Sequence, residues 1–275
     1  MFVGMDYRRW ITDIIVGCYL KKKYYIIGGI LLILIGLCIF LYPNLKYWKT
    51  IRQPQKVLQQ KIVATKSKPD GSGWKQDKIV DYNEDSVAQA EQAEADGNIA
   101  MVGQVSMPQA RGMLLPVLDG LTNLNAVSGA ATMKPGEHMG HGNYALGSHR
   151  LANPYLLFTP LDVATVGMDI WMTDVGKVYQ YKVYSTKAVY RYDSEVIDDS
   201  VVKERGKPVV TLVTCNDYGS EYRRVVQGEL ISEWNMKDAP KYATDAFRSN
   251  FSVMDDFSKW ATFWESTLGS GFKRE

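Results

Sequence analysis

The chain has 275 residues, and its 32 Lys and Arg nearly balance 30 Asp and Glu for a formal net charge of +2. That balance gives no support for nucleic-acid binding, which draws on a basic excess to grip the phosphate backbone. The length suits one or two domains, and with three cysteines and three histidines in the whole chain, candidate nucleophiles and metal ligands are few.

The first element is Tyr24–Tyr42, an uncharged apolar run of 19 residues. As a helix it is long enough to cross a bilayer core of roughly 30 Å. A cleavable signal would have a shorter apolar region followed by small residues. Here Pro43-Asn44-Leu45-Lys46-Tyr47-Trp48 follows, so the run is expected to be a retained single-pass anchor with Met1–Lys23 as a cytoplasmic tail. Arg8, Arg9 and Lys21–Lys23 precede it, and Lys46, Lys49, Arg52 and Lys56 follow. A basic excess of one residue leaves the orientation open.

Residues 43–98 are polar, with Lys-Pro-Asp-Gly-Ser-Gly at Lys68–Gly73, and are expected to form a stalk. Within them Ser86–Ala95 is rich in helix formers, and Asp85 or Ser86 could cap a short helix. The folded domain is expected over 99–234. Its candidate strands are Met113–Leu118, Ala126–Ala130, Tyr144–Gly147, Asp169–Thr173, Val178–Val189, Val209–Thr214 and Arg224–Glu233. They are short, β-branched or aromatic, and bounded by turn residues. Val178–Tyr184 alternates with period two, the mark of a half-buried strand. Pro116 confines the first candidate to a sheet edge or to the strand ends. About seven or eight such strands with few helical patterns predict an all-β fold, a closed barrel or a sandwich. Residues 235–275 read as a helical extension. In Asp245–Leu268 the residues Phe247, Phe251, Met254, Phe257, Ala261, Trp264 and Leu268 fall on one helical face, expected to dock on the outside of the domain.

The chemistry centres on Cys215. Cys18 and Cys38 lie before and within the apolar run, so Cys215 is the lone thiol of an exported domain and has no internal disulfide partner. It is either a nucleophile or a small apolar residue packed in the core. His138 and His141 flank Met139-Gly140 in a Gly-rich loop and read as solvated loop residues rather than zinc ligands. His149 ends a strand-like stretch, Asn143–Ser148, and so stands on a rigid platform. Cys215 also ends a strand. After the seven residues Asn216–Tyr222, an antiparallel hairpin would return Arg223 beside it. Alternation puts Arg223 and Arg224 on opposite faces, so one of them reaches the thiol. An imidazole can exchange protons with a thiol and a leaving amine, and a guanidinium can steady an oxyanion.

Thr211-Leu212-Val213-Thr214-Cys215 resembles the Thr-Leu-x-Thr-Cys signature of sortases, the cysteine transpeptidases of Gram-positive bacterial surfaces. Gly142–His149 is similar to their histidine strand, and the Cys215-to-Arg223 spacing with Gly228 is similar to their arginine stretch. Phe158-Thr159-Pro160-Leu161 and Val166-Gly167-Met168-Asp169 resemble the segment between the two. The resemblance covers roughly 113–233. It implies a closed eight-stranded β-barrel in which His149, Cys215 and Arg223 match the catalytic positions, and Thr214 matches a residue that helps hold substrate or oxyanion. The implied reaction is cleavage of the Thr–Gly bond of a Leu-Pro-x-Thr-Gly sorting signal through a thioester, followed by transfer to a peptidoglycan-precursor amine. An N-terminal anchor resembles the class A, housekeeping type, with the catalytic domain outside the cell membrane. No cofactor is required by that chemistry. Calcium, held between two loops in some relatives, would have Glu137, Asp198, Asp199 and Glu204 as oxygen donors. Two other functions fit the same residues: an exported binding module with a structural cysteine, and a cysteine peptidase that only hydrolyses.

Overall fold

The structure, a computed structural model, describes residues 25–38, 53–62, 82, 84–99, 101–174, 176–217 and 221–248. The chain forms two compact units, Met1–Lys49 and Thr50–Glu275. In the first, residues 25–38 are helical and Tyr25, Ile26, Ile27, Leu32 and Ile33 expose more than half of their surface. The flanks of the apolar run lie outside the described residues. No helix among the described residues is long and apolar enough to cross a membrane.

In the second unit, eight strands among the described residues close into a barrel. They are β1 (Met101–Met107), β2 (Met113–Leu118), β3 (Ala130–Thr132), β4 (Asn143–Gly147), β5 (Asp169–Thr173), β6 (Lys177–Tyr190), β7 (Val209–Cys215) and β8 (Tyr222–Asn235). Their order around the barrel is β1-β2-β3-β4-β7-β8-β6-β5, and β5 pairs back onto β1. The β2–β3 and β4–β7 pairs are parallel, and the other neighbours are antiparallel. Side chains alternate across each strand. Val210, Leu212 and Val226 therefore enter the main core with Tyr144, Leu146, Phe158 and Ile170. Val213 and Val225 join a second cluster with Ala145, Leu121, Met133 and Val196.

Closure decides between barrel and sandwich, which periodicity alone left open. One strand assignment is overturned and two strands are added. Ala126–Ala130 is not a strand: residues Asn123–Ser128 form a helix whose N-cap, Thr122, accepts at Oγ1 from Asn125 N at 3.1 Å. A short apolar run suits helix or strand equally, and here the cap decided. β1 and the three-residue β3 carried too few β-forming residues to stand out. Pro116 is neither at an edge nor at an end of β2; it pairs with Gln104 on β1, while β3 begins pairing only at Val117. The ring therefore sits where the second ladder has lapsed. Gly129 runs beside it, and a Cβ there would come within 2.5 Å of the Pro116 carbonyl oxygen.

The stalk expected over 43–98 is also corrected for the part described. Residues 53–58 and Glu84–Ala95 are helical. Val57 and Ala90 are fully buried with Ile99, Met101, Leu118 and Val127. Apolar residues are sparse in these helices, but those present share one face and cover the barrel. Folded structure thus begins well before residue 99. At the other end, a helix spans Lys241–Asp245 and packs Ala243 and Ala246 against Trp171 and Val178. The Asp245–Leu268 helix expected from periodicity lies outside the described residues beyond 248.

Candidate active site

The site is assembled by two strand pairings. In the parallel β4–β7 ladder Gly147 faces Val213. Two hydrogen bonds extend this junction past the end of β4. Ser148 N donates to Val213 O at 3.2 Å, and Thr214 Oγ1 donates to Ser148 O at 2.8 Å. The residue before His149 is thereby tied to the two residues before Cys215. In the antiparallel β7–β8 hairpin Cys215 faces Arg223 and Thr214 faces Arg224. Asn216 N donates to Tyr222 O at 3.0 Å and closes the hairpin mouth. His149, Cys215 and Arg223 thus stand at one rim of the barrel.

Directly paired residues point to the same side of a sheet. Arg223 therefore shares the Cys215 face, and Arg224 lies on the opposite one. There Arg224 donates from Nε to Leu161 O at 2.8 Å and from Nη2 to Asp162 O at 3.4 Å. Cys215 carries a free, partly exposed thiol. His149 is 8% exposed, and its ring makes an edge contact with Tyr82, with centroids 6.0 Å apart. Thr214 has a structural partner. Its side chain is buried on the face away from Cys215, and its hydroxyl donates to Ser148 O, so it ties β7 to the chain leaving β4.

His138 and His141 belong to the turn before β4, where His141 N donates to His138 O at 3.2 Å. They stand at the opposite end of β4 from His149. The acids considered for calcium are engaged otherwise. Glu137 accepts from the backbone N–H of Ala145 (2.8 Å), Met133 (3.1 Å) and Lys134 (3.4 Å). Burial nevertheless pushes its carboxyl up to about 7. Asp199 accepts from Asn143 N at 2.9 Å, and chiefly this bond holds its carboxyl below the ordinary range. The ammonium of Lys134 sits between them, 4.0 Å from Glu137 and 3.2 Å from Asp199. Asp198 contributes its backbone carbonyl to Asn143 Nδ2 at 3.1 Å, and Glu204 lies on an exposed helix. This donor set does not suit calcium: a lysine already occupies the meeting point of the two carboxylates. Among the described residues no group of His, Cys, Asp or Glu is placed to hold a metal.

Three features had no clear signal in the sequence. Tyr82 comes from the segment read as a stalk. A buried polar network joins Thr211 Oγ1 to Asn143 Oδ1 at 2.7 Å, Asn143 Nδ2 to Val196 O at 3.0 Å and Gln227 Nε2 to Val196 O at 3.1 Å. It staples the β6–β7 connection to the barrel wall on the Cys215 face. The third is an ion pair between Arg150 and Asp162, directly after His149.

Comparison with known proteins agrees with this architecture. The sortase domain family matches residues 105–231. A sortase-type protein of Bacillus subtilis, YwpE, is 37% identical over 103 residues, which cover 37% of this chain and 96% of that protein. The chain therefore belongs to the sortase family. Sortase A of Streptococcus agalactiae is 34% identical over 163 residues, covering 58% of this chain and 64% of the relative. Sortase A of Bacillus anthracis is 36% identical over 134 residues, covering 48% and 60%. The match thus spans less than two thirds of the length of these sortase A relatives. Among solved structures, sortase A of Listeria monocytogenes is similar at 28% identity and a TM-score of 0.47, covering 54% of this chain and 97% of that one.

Proposed function

We propose that this chain is a membrane-anchored cysteine transpeptidase of the sortase A type. The observation that carries the reading is the register. Cys215 faces Arg223 across the β7–β8 hairpin, and the parallel β4–β7 pairing sets His149 at the same rim. The Cys215 sulfur, as thiolate, attacks the threonine carbonyl of a Leu-Pro-x-Thr-Gly sorting signal. The Arg223 guanidinium steadies the oxyanion with fixed N–H donors. The His149 imidazolium gives its proton to the departing glycine amine as the Thr–Gly bond breaks, leaving a thioester on Cys215. A peptidoglycan-precursor amine then attacks the thioester. Neutral His149 takes the proton that amine loses, and the thiolate is released with a new amide bond. The apolar run Tyr24–Tyr42, of which 25–38 are helical with exposed apolar side chains, supports anchoring in the cell membrane, and the transpeptidase reading has the barrel outside.

The test is product analysis. The full chain in detergent micelles is given a Leu-Pro-x-Thr-Gly peptide and an excess of a glycine-based amine. Transpeptidation yields the amide joined at threonine. A free threonine carboxylate as the sole product would mean a hydrolase, and no cleavage with a Cys215 that resists alkylation in the intact fold would mean a binding module with a structural cysteine.

A further inference from the structure

The β4 ladder ends at Gly147, yet His149 needs a fixed imidazole to meet a proton donor or acceptor at Cys215. Beyond the Ser148 ties, the chain leaving β4 is held by the single-turn helix Thr159–Val163. Phe158 N donates to His149 O at 3.1 Å, and Leu151 N donates to Thr159 Oγ1 at 2.8 Å. Between these backbone ties lies the Arg150–Asp162 pair. Arg150 Nε meets Asp162 Oδ1 at 3.3 Å and Nη2 meets Oδ2 at 2.9 Å. Both partners are partly buried, at 21% and 27% side-chain exposure, and the two-pronged fit fixes orientation as well as distance. The same turn receives Arg224, the neighbour of Arg223, on its Leu161 and Asp162 carbonyls. The Thr159–Val163 turn is thus braced against the strand that carries Arg223 and against the segment that carries His149.

The geometry points to Asp162 as a positioning residue for the proposed reaction: its carboxylate, through the Arg150 guanidinium, sets the orientation of the His149 imidazole at the Cys215 rim. This rests on the reading in which His149 exchanges protons during acyl transfer. An ordinary surface ion pair would contribute little and could be lost without consequence. A clamp one residue from a proton-transfer group cannot, because small misplacements there carry large rate penalties.

The experiment uses the full chain and the near-isosteric variant Asp162→Asn, with Asp162→Glu as the conservative rescue. Single-turnover acylation by a Leu-Pro-x-Thr-Gly peptide gives the rate, and ring-labelled histidine NMR reads the imidazole directly. His149→Ala identifies its signals, and His138 and His141 serve as internal references. Asp162→Asn is expected to slow acylation on the order of tenfold to a hundredfold with KM and melting temperature unchanged. The His149 ring signals should shift or broaden while those of His138 and His141 stay in place. Asp162→Glu should recover most of the rate. Arg150→Ala combined with Asp162→Asn should be no slower than the slower single variant, because the two act as one unit. Unmoved His149 signals in Asp162→Asn would overturn the assignment, as would a rise in KM with kcat intact or losses that multiply in the double variant. If the unmutated chain fails to acylate, the transpeptidase reading falls, and the His149 ring signals still decide the role of Asp162.

Discussion

Thr214→Val removes one buried hydrogen bond and little else. The valine methyl replaces the hydroxyl at nearly equal volume, so the core keeps its packing. The Ser148 carbonyl loses its 2.8 Å donor on the β4–β7 junction. Leaving a buried acceptor unsatisfied costs about 1–3 kcal/mol. For a domain of this size, each kcal/mol lowers the melting temperature by about 2–4 °C, so calorimetry should show a fall of about 2–12 °C. The bond also links the residue before His149 to the residue before Cys215, so acylation of the folded fraction should slow as well. Thr214→Ser keeps the hydroxyl and should restore the rate, though it sacrifices a packed methyl. If Thr214→Ser proved as slow as Thr214→Val, the methyl rather than the hydroxyl would matter, and a strand-tie role for Thr214 would be refuted.

The two arginines should separate cleanly. Arg223→Lys is expected to lower kcat by two or more orders of magnitude, on the scale of about 10²–10³ for losing an oxyanion donor, with melting unchanged. Arg224→Ala should instead destabilise the fold by about 0.5–1.5 kcal/mol, the ordinary worth of a lost hydrogen bond, because the Leu161 carbonyl keeps the Ala164 N–H; the reverse pattern would place the wrong arginine at the thiol. Glu137 has a folded pKa raised from 4.5 to about 7 by burial. Its contribution to stability is therefore fully present below pH 4.5 and is lost as pH rises through about 7. A melting-temperature profile across that window should flatten in Glu137→Gln, and an unchanged profile would show that Glu137 does not titrate there. Millimolar calcium should leave melting and turnover unchanged, because Lys134 already bridges Glu137 and Asp199; a clear upward shift in melting temperature would contradict this. A chain cut to begin at Ile99 should melt well below one beginning at Thr50, since Met101, Leu118 and Val127 lose the cover of Val57 and Ala90; equal melting would return 53–98 to a stalk.

Much of the site could be read from the chain because strands are simple geometric objects. Val209–Cys215 and the return at Arg223 define a hairpin whose alternation decides which side chains share a face, and the structure has that register. The β4–β7 pairing was not legible. A parallel pair between strands more than sixty residues apart leaves no local pattern, and the likeness to sortases supplied it. The Asn123–Ser128 helix was hidden because six residues are too few to display a period. The 53–62 and 84–99 segments were hidden because composition averages out a sparse apolar face. The Arg150–Asp162 clamp shows a further limit: charged residues twelve apart carry no signal until a turn between them folds back.

The central claim is that Cys215, His149 and Arg223 act together on one acyl group. Intact-mass and peptide-mapping spectrometry of the full chain, quenched in acid soon after mixing with a Leu-Pro-x-Thr-Gly peptide, tests it most directly. The account predicts a thioester of the Leu-Pro-x-Thr fragment on Cys215, absent in Cys215→Ala and strongly reduced in His149→Ala and Arg223→Ala. An adduct on another residue, or acylation at the unmutated rate in His149→Ala and Arg223→Ala, would contradict it.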